Sequence, residues 1–166
     1  MQKQIYAYID GQNLHLGTLS SIYAWKINPK RFYIYLKDKY KVKRAYYYFG
    51  VRQSQYEHLY KQFRKAGFIL KFRLHNAKQK SFKKGNVDVD IVFDVMRIFC
   101  EKPNINFILV TQDGDYIRLV LHLVHYKRLK KVLFPNLKTA SSLYKHFLRK
   151  KYWSDLSNIS LLRKLI

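Results

Sequence analysis

Segments with strand character alternate with segments with helical character along most of this chain. The strand-like runs are rich in β-branched and aromatic residues, and the helical segments carry apolar residues three or four positions apart. Strands joined through helices run parallel, so this order predicts an α/β fold with a mainly parallel sheet and helices on both faces. The predicted strands are residues 4–9, 42–49, 68–74, 105–110 and 131–134, and the predicted helices are residues 30–40, 54–66, 87–102, 117–125 and 141–148. Residues 14–22 fit either a short helix or an irregular turn.

The length of 166 residues and the hydrophobic fraction of 48% predict a single domain over residues 1–166, with residues 152–166 as a cover or tail. No run of 18 apolar residues occurs, so a membrane is not an expected partner. The single cysteine excludes an intramolecular disulfide and fits a reducing compartment, which predicts a cytoplasmic location. Because Cys100 lies in an apolar helical run, we expect it in the core.

The net charge of the chain indicates the class of its binding partner. Lys and Arg number 33 against 10 Asp and Glu, a formal net charge of +23. A polyanion would relieve the self-repulsion of such a chain, so nucleic acid is the expected partner. A generically basic protein is the alternative. The basic residues are spread along the whole chain rather than gathered on one amphipathic helix, which disfavours a membrane surface.

The few acidic residues are unevenly placed. Asp10 follows the first predicted strand, and Asp113 and Asp115 follow the strand at residues 105–110. The carboxyl ends of parallel strands meet at one edge of a sheet, so these acids can face one crevice. Carboxylates gathered in a chain this basic suggest a divalent cation, and their hard oxygen ligands suit Mg²⁺ or Mn²⁺. No Cys or His pair has the spacing of a zinc site.

The helix predicted at residues 87–102 carries three more acids. Asp90 and Asp94 are four positions apart and share a helix face, whereas Asp88 is rotated away from Asp94. An ideal helix therefore cannot direct all three carboxylates at one ion. Asp90 and Asp94 could instead pair with Arg97, Lys102 or the basic loop at residues 77–85 on a solvated face.

The remaining acids also have ordinary structural explanations. Asp10 fits a turn, Asp88 fits a helix N-cap, and Asp115 fits the first turn of a helix, where the dipole favours negative charge. The aromatic residues on the strands favour sheet packing over stacking on unpaired bases. Tyr116, beside the acid pair, is the aromatic residue best placed to touch a substrate.

Three motifs occur in a fixed order: Tyr-Ile-Asp-Gly-Gln-Asn-Leu at residues 8–14, Lys-Gly-Asn-Val-Asp-Val-Asp-Ile-Val-Phe-Asp at residues 84–94, and Leu-Val-Thr-Gln-Asp-Gly-Asp-Tyr at residues 109–116. Together they resemble the NYN domain family, the LabA-like branch of the PIN-like ribonucleases. The resemblance extends from about Tyr6 to the helix predicted at Ser141. Gln112 stands where the family usually shows glycine, and Asn86 is an additional residue in the second motif.

The resemblance implies a Rossmann-like α/β/α sandwich of the PIN-like type whose acids hold Mg²⁺ or Mn²⁺ and cleave RNA. It assigns metal ligation to Asp10, Asp88, Asp113 and Asp115, and catalysis to these four with Asp94. Asp90 ranks lower because its position looks variable in the family. The predicted substrate-binding residues are Asn13, Lys84, Thr111 and Tyr116.

The leading interpretation is a metal-dependent (endo)ribonuclease, a hydrolase that prefers RNA to DNA. The alternative is a basic RNA- or DNA-binding module with the same fold and no catalysis. A third interpretation treats Asp113 as the nucleophile of an aspartyl-phosphate phosphatase, but that motif is expected on the first strand of a fold. The oligomeric state is left open, with a homodimer among the options.

Overall fold

A sheet of six strands organises the chain. The computed structural model describes residues 3–20, 24–73, 87–158, 161, 165 and 166. The strands are β1 (Gln4–Asp10), β2 (Val42–Phe49), β3 (Ile69–Phe72), β4 (Ile105–Val110), β5 (Leu129–Phe134) and β6 (Trp153–Asp155). They lie in the order β3-β2-β1-β4-β5-β6, and every neighbouring pair is parallel.

Helices connect these strands. They are α1 (Gly11–Leu19), α2 (Pro29–Tyr40), α3 (Glu57–Ala66), α4 (Asp88–Glu101), α5 (Ile117–His125) and α6 (Ser142–Phe147). Local sequence sets several helix ends: the Asn28 side chain caps α2 ahead of Pro29, and Gly67 closes α3 with a φ of 111°, a conformation that favours glycine. No helix within the described ranges has the length and apolar character needed to cross a membrane.

Each face of the sheet has its own hydrophobic core. Along β1, Tyr6 and Tyr8 face the layer of α4, α5 and α6, whereas Ala7 and Ile9 face the layer of α1, α2 and α3. Buried residues from both helical layers complete the two cores. The predicted α/β/α sandwich with a parallel sheet is therefore confirmed.

The strand order places a crevice beside β1. The chain moves outward from β1 to β3 and then crosses back, so that β4 lies on the other side of β1. Ile9 pairs with Val110 at the carboxyl ends of these two strands. The helices after β1 and β4 leave on opposite faces of the sheet, which opens the crevice where ligands bind in folds of this type.

Two elements of the described chain go beyond what the sequence predicted. Residues 11–19 form a helix, so the ambiguous segment is helical as far as Leu19, and its last two residues, 21 and 22, lie outside the described residues. The strand β6 was not predicted, because only three residues pair with β5 and their local sequence has no strand periodicity. Lys84 and the basic loop at residues 77–85 lie outside the described residues.

The prediction that Cys100 lies in the core was wrong, since its side chain is exposed. The buried face of α4 is formed by Ile91, Val95 and Ile98, at intervals of four and three residues. Cys100 is two positions beyond Ile98, a rotation of about 200° around the helix. Because α4 has one buried face and one exposed face, its apolar run does not by itself identify which residues face the core.

Candidate metal centre

Asp10 ends β1 at the crevice and caps the helix that follows. Its two carboxylate oxygens accept hydrogen bonds from the backbone nitrogen and the side-chain amide of Asn13, at 2.9 and 2.8 Å. Only 1% of Asp10 is exposed. Burial raises the pKa of the Asp10 carboxyl above its ordinary value; hydrogen bonds from Asn13 and Tyr116 oppose the rise, and the charge of Asp88 adds to it. The fold therefore holds a carboxylate where its charge is costly.

Tyr116 joins Asp10 to Asp88. Its hydroxyl oxygen lies 3.0 Å from an oxygen of Asp10 and 2.6 Å from an oxygen of Asp88. Burial, together with the charges of the two carboxylates, raises the pKa of Tyr116 far above its ordinary value, so the phenol stays neutral. A phenol has one proton and can donate to only one carboxylate at a time. Two buried carboxylates on one hydroxyl need a further proton or a cation close by.

Asp113 and Asp115 lie on the side of the crevice opposite Asp10 and Asp88. Asp113 accepts a hydrogen bond from the backbone nitrogen of Asp115 at 3.0 Å, and the Thr111 hydroxyl accepts one from the backbone nitrogen of Asp113 at 3.2 Å. The Tyr144 hydroxyl donates to the backbone carbonyl of Asp113 at 2.6 Å. These contacts leave one carboxylate oxygen of Asp113 and the Asp115 side chain for a ligand.

Three of these acids converge. One oxygen each from Asp88, Asp113 and Asp115 lies within 4.8 Å of the others. Oxygens on opposite sides of a Mg²⁺ ion lie about 4.2 Å apart, because each ligand is about 2.1 Å from the ion. The spread of up to 4.8 Å is slightly wider than this, and the all-oxygen donor set fits Mg²⁺ or Mn²⁺.

A polar cleft of about 410 Å³ opens beside Asp113 and Asp115. The loop before α6 forms one side of it: Ser141 donates its backbone N–H to the Gln112 carbonyl at 3.0 Å. A side chain at Gly114 would clash, since its Cβ would lie 2.5 Å from the Ser141 hydroxyl oxygen. The residues lining the cleft are Asn13, Gln112, Asp113, Gly114, Asp115, Thr139, Ser141 and Leu143.

The two other acids of α4 are placed differently from Asp88. Asp94 accepts a hydrogen bond from Tyr48 at 2.7 Å and pairs with Lys71 at 3.3 Å and Arg97 at 3.1 Å. Partial burial acts to raise the pKa of Asp94, but the bonds from Tyr48 and Arg97 and the charge of Lys71 hold it below its ordinary value. Asp90 is exposed in the first turn of α4. The pairing with Arg97 that the sequence left open is present.

The structure also places the predicted substrate-binding residues. Asn13 lines the cleft while its amide holds Asp10. Thr111 is buried and positions Asp113, and Tyr116 is only 1% exposed, with its hydroxyl between two acids. The sequence did not associate Thr139, Ser141 and Leu143 with the site. The local sequence around Ser141 indicates a helix N-cap and nothing about its distance from Gln112.

A parallel sheet with this strand order and an acidic cluster at its crevice defines a Rossmann-like α/β protein with a candidate cation site. The chain belongs to the NYN domain family, whose family model matches residues 4–148. Members of this family are generally nucleases, which places the chain at a coarse level among hydrolases that act on nucleic acid.

Among solved structures, the chain is similar to the crystal structure of a protein of unknown function from Vibrio parahaemolyticus. The TM-score is 0.70 at 20% sequence identity, and the match covers 95% of this chain and 94% of that chain. At this identity the likeness shows the fold alone. No curated protein matches the sequence.

Proposed function

We propose that this protein is a metal-dependent ribonuclease that hydrolyses phosphodiester bonds in the cleft beside Asp113 and Asp115. The convergence of Asp88, Asp113 and Asp115 oxygens within 4.8 Å carries the proposal. In a chain of net charge +23, three carboxylates gathered beside a polar cleft suit a divalent cation better than a structural role.

The cleft explains why a cation from solution is needed. None of the described residues that line it is a Lys or Arg, and two of them are aspartates. From these described residues, a phosphodiester entering the cleft would meet only negative and neutral groups. A bound Mg²⁺ or Mn²⁺ would neutralise the phosphate, activate the attacking water and stabilise the leaving oxygen.

The chain's own residues position the reacting groups. Asp88, Asp113 and Asp115 would hold the ion, and Tyr116 fixes the carboxylate of Asp88 through its hydrogen bond. Asp10 contacts the same Tyr116 hydroxyl as Asp88 does. Direct ligation of the ion by Asp10 stays a prediction. Asn13 and Ser141 supply neutral hydrogen-bonding groups in the cleft wall for substrate oxygens.

Asp94 has a separate task in this proposal. Its carboxylate is engaged by Tyr48, Lys71 and Arg97, so it holds α4 against β2 and β3. By fixing the helix that carries Asp88, Asp94 would assist the site from a distance. The preference for RNA over DNA rests on the family resemblance, and the basic character of the chain suits either nucleic acid.

The proposal predicts cleavage of labelled single-stranded RNA by the purified protein with Mn²⁺ or Mg²⁺, and none after chelation with EDTA. Asp113→Asn should lower the cleavage rate by at least about a hundredfold, because the ion loses a charged ligand. The matched control is Asp90→Asn, an exposed acid in the first turn of α4, which should keep the wild-type rate.

Circular dichroism should show that both variants are folded. Equal cleavage by wild type and Asp113→Asn would contradict the proposal. Binding of RNA without any metal-dependent cleavage would instead establish the non-catalytic binding module. Parallel reactions on DNA of the same sequence measure the preference for RNA.

A further inference from the structure

The helix α6 carries apolar side chains from the cleft onto the open surface. Leu143 lines the cleft, and Phe147 lies four residues later on the same helix face. Leu143 is 39% exposed and Phe147 is 61% exposed. The two residues are about 6 Å apart along the helix axis.

A second cavity, of about 240 Å³, lies at the far end of α6. Its walls are Val124 from α5 together with Phe147, Leu148, Arg149 and Tyr152. Phe147 lines this cavity, and Leu143, four residues earlier on α6, lines the cleft. We name the exposed surface formed by Leu143, Phe147, Arg149 and Tyr152 the α6 surface.

Away from the cleft, the charge beside the α6 surface is positive. Residues 117–154 contain ten Lys and Arg and no Asp or Glu. Arg149, Lys150 and Lys151 are exposed, and the Lys151 ammonium lies 5.0 Å from the centre of the Tyr152 ring. A partner that fits must be anionic and must also offer flat apolar groups to Phe147.

A second copy of this chain does not meet that requirement. It would bring the same positive charge to the contact, and like charges across an interface oppose association. A single-stranded nucleic acid meets both conditions, because its phosphates attract the basic residues and its unpaired bases stack on exposed aromatic rings.

We propose that the α6 surface is a binding subsite for single-stranded RNA, in which Phe147 stacks on a base next to the phosphodiester held in the cleft. The placement of that phosphodiester rests on the proposed function. Arg149 and its basic neighbours hold the backbone, and the cavity beside Tyr152 receives the following nucleotide. Bases inside a duplex are already paired and stacked, so the subsite discriminates against double-stranded RNA.

Fluorescence anisotropy with a short labelled single-stranded RNA tests the subsite. EDTA in the buffer prevents cleavage, so that binding is measured by itself. Phe147→Ala should weaken binding roughly tenfold, the effect of losing one stacked base. Phe147→Leu should weaken it similarly because it keeps an apolar group without a ring, and Phe147→Trp should restore the affinity.

The matched control is Phe93→Ala, which removes a phenylalanine that is 65% exposed on α4. It should leave the affinity unchanged. All three Phe147 variants should bind a blunt duplex of the same sequence as wild type does. Equal affinity of wild type and Phe147→Ala for single-stranded RNA would overturn the inference.

Sedimentation provides a second way to overturn it: a wild-type dimer that Phe147→Ala dissociates would show that the surface joins two copies. The proposed function is tested apart from this one. If the protein cleaves RNA in a metal-dependent way but Phe147→Ala binds RNA as wild type does, only the subsite proposal is contradicted. If RNA binding depends on Phe147 but the protein does not cleave RNA in Mn²⁺, only the nuclease proposal is contradicted.

Discussion

At the scale of single residues, one hydroxyl decides how the acids are arranged. Asp10 and Asp88 come from different elements and would repel each other in a buried site. The Tyr116 hydroxyl lies between them and contacts both. Loss of that oxygen would leave two buried carboxylates facing each other with no donor between them, which is among the costlier arrangements in a protein interior.

We therefore predict that Tyr116→Phe lowers the affinity for Mn²⁺ by about 10- to 100-fold, because Asp88 loses the donor that orients it. A Mn²⁺ titration followed by electron paramagnetic resonance measures this without any cleavage reaction. The control is Tyr8→Phe. The Tyr8 hydroxyl is also buried but has no hydrogen-bond partner among the described residues, so its removal should leave the affinity unchanged. Wild-type affinity in Tyr116→Phe would show that Asp88 is oriented by its backbone alone.

At the scale of elements, the close approach of α1 to β2 positions the first acid. The helix begins immediately after Asp10, and Gly11 lies directly against the neighbouring strand. A Cβ at Gly11 would lie 2.4 Å from the Tyr48 carbonyl oxygen and 2.5 Å from the Tyr47 ring. Neither atom can move easily, since one belongs to the backbone of β2 and the other to a buried ring. The position of the first turn of α1 therefore depends on the absence of a side chain at Gly11.

We predict that Gly11→Ala lowers the free energy of unfolding by about 1–3 kcal/mol, the usual cost of overpacking. It should also weaken Mn²⁺ binding, because α1 shifts the Asp10 carboxylate and with it Tyr116. Urea denaturation measures the stability. Gly50→Ala is the matched control: among the described residues other than its two chain neighbours, no atom lies within 4 Å of a Cβ built there, so its stability should change by no more than about 0.5 kcal/mol. Equal stability of the two variants would show that β2 yields to the new methyl group.

The orientation of α4 also places its acids in different surroundings. Asp88 faces Tyr116 at the crevice, whereas Asp94 faces Tyr48 and the cations beside it. These positions agree with the sequence argument that an ideal helix cannot direct both residues at one ion. The network around Asp94 still serves the site indirectly, because it ties α4 to β2 and β3.

At the scale of the whole molecule, the net charge of +23 opposes the compact state. Salt screens this repulsion, whereas surface ion pairs such as that between Arg52 and Glu57 contribute little. We predict that raising KCl from about 50 to about 300 mM increases the melting temperature, by roughly 2–4 °C for each kcal/mol of repulsion screened. Differential scanning calorimetry measures the change.

Single-stranded RNA should have the same stabilising effect at low salt, since its phosphates neutralise the basic surface. Once RNA is bound, added KCl should no longer stabilise the protein and should weaken the complex. A melting temperature that falls as KCl is added to the free protein would show that ion pairs outweigh the repulsion.

The sequence alone was sufficient to predict the layers of the fold. The alternation of strand and helix patterns led to a parallel sheet covered on both faces, and the positions of Asp10, Asp113 and Asp115 after strands led to one acidic edge. These features are local: periodicity and turn residues are visible within a few positions of the chain. The resemblance to the NYN domain family follows from the same local motifs and is confirmed.

Tertiary structure alone decided which side chains meet. The hydroxyl between Asp10 and Asp88, the contact of Ser141 with Gln112, and the pairing of β6 with β5 join residues far apart in sequence. The exposure of Cys100 depends on the rotation of α4 against the sheet. No local pattern encodes such contacts, because they depend on strand order and on the packing angle of each helix. The sequence thus determined that an acidic edge exists, and the packing determined which of its oxygens converge.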